Sequence, residues 1–158
     1  MALYRMVHTS FWSDTKIVDE MTPQDKYFML YLLTNPHTNQ IGCYEISIKD
    51  MSSELGYEPD IVFNLLERFE NELKLINYSP ITKEIFIKNW NKYNWTLSPK
   101  VKRCIEKELK EIKSVEFIEK TCDLLNEKYG SDTLCIRYGY TMYTRKRKRK
   151  RKRKTKRK

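Results

Sequence analysis

Glycine is scarce in this chain and never clustered: Gly42, Gly56, Gly130 and Gly139 stand apart. A loop that cradles phosphate needs several glycines within a few residues, so that class of nucleotide enzyme is excluded. Histidine is scarcer still, with only His8 and His37, which leaves no basis for a Ser-His or Cys-His centre. Cys43, Cys104, Cys122 and Cys135 form no C-x-x-C pair. They argue against a zinc site and read as reduced thiols used as small hydrophobes. The longest apolar run, Tyr27 to Leu33, is far short of the roughly 20 residues a membrane helix needs. Met1 to Ser10 has no continuous apolar stretch of the signal-peptide kind. Acid pairs such as Asp19/Glu20 and Glu70/Glu72 occur, but within amphipathic stretches, where they read as solvated charge. The expectation is a cytoplasmic, non-enzymatic binding protein with no cofactor and no metal.

Acidic residues are missing altogether from the last fourteen positions. There the sequence runs Arg145, Lys146, Arg147, Lys148, Arg149, Lys150, Arg151, Lys152, Arg153, Lys154, Thr155, Lys156, Arg157, Lys158. These 13 cations come from a total of 31, so residues 1–144 hold 18 bases against 21 acids. The net +10 of the chain is thus a property of its tail, and the body is mildly anionic. Such a run is expected to be disordered when free and to bind nucleic acid without sequence preference. A membrane-surface patch, a nuclear address or a slippage or frameshift product fits the same composition.

Residues 1–20 read as an arm with aromatic anchors at Tyr4, Phe11 and Trp12. Thr22-Pro23-Gln24-Asp25 opens a helix by side-chain capping, proline at the first helical position and an acid near the positive dipole end. Asn35-Pro36 ends it. Ile41–Ile46 reads as a strand. Ser47 to Asp50 repeats the cap, and Ile48, Met51 and Leu55 share one face of a helix that Gly56 closes. Pro59 opens the next helix, whose stripe is Ile61, Val62, Leu65, Leu66, Phe69 and Leu73. Two helices joined by so short a turn form a helix-turn-helix. The strand-like runs Leu75–Tyr78 and Glu84–Trp90, with Ser79–Lys83 between them, then make a wing. After Ser98-Pro99, Val101, Ile105, Leu109 and Ile112 mark another helix, with Lys102, Glu106 and Lys110 along its wet side. Phe117 to Leu125 continues an apolar face.

The expected fold is mainly α with a small β-sheet, a winged helix followed by a helical extension and a basic tail. The boundaries are 1–20 for the arm, 21–96 for the winged helix, 97–130 for the extension, 131–144 for a linker and 145–158 for the tail. The helix from Asp60 to Lys74 stands where related folds read the major groove. It carries Asp60, Glu67, Glu70 and Glu72 against Arg68 and Lys74, and acids there repel phosphate. Asn64, Arg68 and Asn71, with Lys83 and Lys88 of the wing, are the secondary DNA-contact candidates. The tail cations are the primary ones. Trp90, Tyr93 and Trp95 beside the wing lysines suit base stacking or, preferably, a core role.

The stretches RMVHTSFWSD, MTPQDKYFMLYLLTNPHTNQIGCYEI, LLERFENELKLI and IFIKNWNKYN resemble the N-terminal region of DnaD-like phage replisome organisers, across about Tyr4 to Leu125. The resemblance implies a winged-helix domain used for self-association, and work alongside a replicative helicase loader or other primosome proteins. In that family a second, helical domain contacts DNA. Here the basic tail stands in its place, so none of that domain's residues carries over. The expectation is a replication initiation accessory protein of phage or prophage origin, homo-oligomeric and nucleoid-associated in a bacterial host, with no membrane partner. A winged-helix transcription regulator and an assembly adaptor with an incidental tail are the alternatives.

Overall fold

Local capping chemistry sets where the helices begin. In the computed structural model, which describes residues 2–130, Asp14 accepts the N–H groups of Lys16 and Ile17 and starts α1 (Thr15–Glu20). A single 3₁₀ turn, Thr9–Ser13, precedes it. The arm thus contains structure that the sequence pattern was too short to reveal. Thr22 and Asp25 form a reciprocal capping box for α2 (Pro23–Thr34), and Ser47 and Asp50 form another for α3 (Ile48–Leu55). Gly56, at φ 74°, turns the chain out of α3 in the left-handed region. Helix α4 (Pro59–Glu67) follows after Tyr57 and Glu58.

The expected continuous helix to Lys74 is interrupted. At Arg68–Glu72 the chain widens into a π turn, in which the Leu73 N–H bonds to the Arg68 carbonyl. That wider turn keeps both Phe69 and Leu73 buried as the chain leaves for the sheet.

Three antiparallel strands, β1 (Cys43–Glu45), β2 (Ile76–Ser79) and β3 (Glu84–Ile87), lie in the order β1-β3-β2. Cys43 pairs with Phe86, and Ile76 with Ile87. The central position of β3 explains why all four of its residues are buried, with Phe86 5.7 Å from the Phe117 ring. The expected strand to Trp90 stops at Ile87 instead. Asn89 takes φ 63° and swings the chain into α5 (Trp90–Asn94). The expected strand Ile41–Ile46 is likewise confined to its middle, because Gly42 has φ 79°. A Cβ on Gly42 would stand 2.2 Å from Trp90 Cγ, so only glycine fits there.

Helices α6 (Pro99–Leu109) and α7 (Val115–Tyr129) complete the described chain. The protein divides into two compact units, Met1–Phe117 and Ile118–Lys158. The arm, the three strands and α6 all fall within the first unit. Helix α6 is fastened there by Glu108, whose carboxylate accepts the backbone N–H groups of Gln40 and Ile41 at 3.2 and 2.9 Å. Of the second unit, the structure describes the remainder of α7, where Ile118, Thr121 and Leu125 are buried. The expected linker 131–144 and tail 145–158 lie outside the described residues. The fold is mainly helical with one small antiparallel sheet.

Candidate functional site

Helix α4 turns Val62, Leu65 and Leu66 inward, which fixes what its other side presents. Asp60, Phe63, Asn64 and Glu67 point to solvent, and Phe63 remains 51% exposed. Positions 60, 63 and 67 share one helical face, so an aromatic ring sits between two carboxylates. Ile61 flanks it at 36% exposure, although the spacing had grouped Ile61 with the core stripe. Phe63 falls off that stripe, and this was the sequence signal available for an outward ring. Asn71, in the π turn, is exposed like Asn64.

Arg68 is differently placed. Its Nε bonds both carboxylate oxygens of Asp25 at 3.2 and 3.1 Å, and its terminal nitrogens reach the Glu20 carbonyl at 3.0 Å and the Glu72 carboxylate. Asp25 is 1% exposed and also closes the capping box with Thr22. The bond to Asp25 holds the guanidinium above even its ordinary pKa, with the charges of Asp25 and Glu72 adding to the effect. A base contact by Arg68 would compete with these bonds. The outer face of α4 therefore keeps its acids while its arginine is engaged elsewhere.

Lys83 is exposed in the β2–β3 turn, at φ 54°, and its carbonyl accepts the Ile46 N–H at 2.7 Å. Lys88 lies past the other end of β3, five positions on, or roughly 17 Å along an extended chain. The two lysines cannot grip one phosphate together. The aromatics near them divide. Trp90 and Trp95 are buried, and both indole N–H groups donate to the Gln40 carbonyl at 3.0 Å. Tyr93 is largely exposed, edge-on to His8 at 5.2 Å between centroids.

The arm creates a feature that the sequence did not reveal. Arg5 ties it down, donating to Thr38 Oγ1 and the Thr38 carbonyl at 3.0 Å each, with its guanidinium 5.9 Å from the Trp90 ring centre. Between arm, α2, β3 and α5 lies a cleft of about 400 Å³, walled by Met6, Phe11, Met21, Met29, Leu33 and Trp90. His8, Lys16, Lys88 and Tyr93 supply its polar lining. Beside it the arm leaves Leu3 98% exposed, with Tyr4, Met6 and Trp12 also in water.

Among the described residues no group of three His, Cys, Asp or Glu side chains is placed to hold a metal ion, and no helix is long and apolar enough to cross a membrane. Cys43 is buried, and burial pushes its thiol far above the ordinary range. Cys104 is exposed, unlike the expected core thiol, and donates to Glu108 Oε1 at 3.5 Å. Partial desolvation of the thiol and the neighbouring Glu108 carboxylate raise its pKa as well, which works against thiolate chemistry. Compared with protein-family models, curated proteins and solved structures, the chain matches none.

Proposed function

We propose that this chain is a non-enzymatic replication initiation accessory protein of phage or prophage origin, acting in the bacterial cytoplasm at the nucleoid. In this reading α2, α3, α4 and the three strands form a winged helix that serves self-association. The tail from Arg145 to Lys158 supplies non-specific nucleic-acid binding, and the protein partners are a helicase loader or other primosome components. The observation that carries it is the outer face of α4, where Asp60 and Glu67 flank an exposed Phe63. Phosphate would be repelled there, whereas a protein surface could cover the ring. The exposed apolar arm supports the same assignment. An assembly adaptor with an incidental tail draws on these same apolar surfaces and is the second reading.

The test compares the full chain with residues 1–144 by size and by DNA affinity at two salt concentrations. The full chain should bind any duplex with a log–log salt slope of roughly −5 to −9, as expected if about 6–10 charges meet phosphate. The truncated chain should keep its self-association and lose DNA. Tight binding of one defined duplex by 1–144 would replace this proposal with an operator-reading regulator. Unchanged replication function after the deletion would favour the adaptor.

A further inference from the structure

Two surfaces of the first unit are chemically complementary. One is a knob, the Phe63 ring on α4 with carboxylates one turn before it at Asp60 and one turn after it at Glu67. The other is a hole, the methionine-rich cleft beneath the arm, with Lys16 and Lys88 in its lining and Lys92 exposed nearby on α5. Lys16 leans toward Glu20 at 3.9 Å, while Lys88 and Lys92 have no ion pair among the described residues. Both surfaces leave apolar atoms in water, and their charges have opposite sign.

We infer that the Phe63 knob of one copy docks in the arm cleft of a second copy, with Asp60 and Glu67 meeting the lysines at its mouth. This rests on the self-association proposed above and names the surfaces that carry it. Phe63 does not line the cleft of its own chain. The burial of Val62, Leu65 and Leu66 also holds α4 in place, so the two surfaces meet only between molecules. The cleft falls within the size range of small-ligand pockets, roughly 300–1,000 Å³. Methionine walls adapt to an entering ring. Because knob and hole are different patches, the contact is heterologous and leaves one of each free on every pair. Assembly therefore continues past the dimer, into a ring or an open chain. The lysine–carboxylate contacts lie at the rim, so salt should weaken the joint, chiefly by slowing association.

The full chain, freed of nucleic acid, is measured by analytical ultracentrifugation over a hundredfold concentration range. Two variants change positions at the surface, Phe63 and Met6 exposed and Lys88 half-buried. Phe63→Asp removes the knob, and Met6→Asp with Lys88→Glu spoils the hole. Folding of each is checked by thermal melting. The wild type should grow beyond a dimer with concentration, and each variant should lose at least tenfold in association constant. An equimolar mixture of the two variants retains one good knob and one good hole. It should stop at a 1:1 dimer.

A mixture that yields no dimer, although each variant alone has lost association, overturns the heterologous joint. Loss in the hole variant alone, with Phe63→Asp behaving as wild type, assigns the cleft to another occupant such as the partner's arm and likewise overturns the inference. Wild-type assembly in every variant does the same, while leaving self-association intact through another surface. A wild type that stays monomeric throughout defeats the broader proposal together with this one.

Discussion

Around Gln40, nearly every polar atom is turned to internal use, whereas the outer face of α4 leaves a ring and two acids to solvent. In the first region Asn39 Nδ2 donates to the Cys43 carbonyl, its Oδ1 accepts the Gly42 N–H, and Gln40 Nε2 donates to the Asn94 carbonyl. Two tryptophans share the Gln40 carbonyl. Asn35 bridges the end of α2 to the Tyr44 hydroxyl, which donates to the Leu32 carbonyl. Little is left there to offer a ligand. In the second region the side chains of Phe63 and Glu67 make no hydrogen bond, ion pair or ring contact among the described residues, and Asp60 serves the fold through the first turn of α4 alone. On the proposed function, stability and recognition fall to different residues, and substitutions should separate them.

The largest separation is expected at Glu84. The residue is 3% exposed, and its carboxylate accepts the N–H groups of Lys113 and Ser114 at 2.7 and 2.8 Å, fixing the entry to α7. Glu84→Ala should cost about 4 kcal/mol, since two backbone donors lose a charged acceptor. Urea unfolding would measure this, and the dependence of size on concentration should not move while the chain stays folded. A change in assembly at unchanged stability would break the contrast between the two regions.

Arg68 tests the contrast from the other side, because it belongs to the α4 segment yet serves the interior. Arg68→Met should cost roughly 3 kcal/mol, the low end for breaking a buried pair, because its side chain is 31% exposed. Adding Asp25→Asn should recover part of that loss by removing the stranded charge. DNA affinity of the full chain should barely change, losing one cation against the 13 of the tail. A specific loss of duplex recognition would instead make Arg68 a reader, and the face of α4 would need another explanation.

How far the sequence was legible follows the distance over which each interaction acts. The caps at Thr22 and Ser47 join residues three apart, and each was readable with its partner acid. Helices α2, α3 and α4, the strand pair and the negative body followed from spacing and composition. Glu108 reaches back 68 positions to Gln40, and Glu84 forward 29 to Lys113. Nothing near either residue in the chain marks it as an acceptor for backbone. Arg68 is a secondary DNA-contact candidate by sequence, and its bond to Asp25 spans 43 positions that no local pattern reveals. The cleft was invisible for the same reason, since its walls come from the arm, α2, β3 and α5. Phe63 was readable in principle as the apolar residue off the buried stripe.

The smallest expected effect lies at Asp50, the exposed acid of the second capping box. Hydrogen bonds from the Ser47 hydroxyl and backbone N–H hold its carboxyl below the ordinary 3.8. A depressed acid stabilises the fold above its unfolded-state pKa, and that contribution fades as pH falls through the folded value. Asp50→Ala should therefore lower the melting temperature by a few degrees at pH 6. The gap from wild type should narrow steadily once the pH drops below about 3.8, the ordinary value. Assembly at pH 6 should be unaffected, because Asp50 caps α3 on a face that Phe63 does not share. A gap that persisted unchanged into strong acid would mean the box acts through shape rather than charge. A change in assembly at pH 6 would show that the scaffold under α4 and the surface it presents are coupled after all.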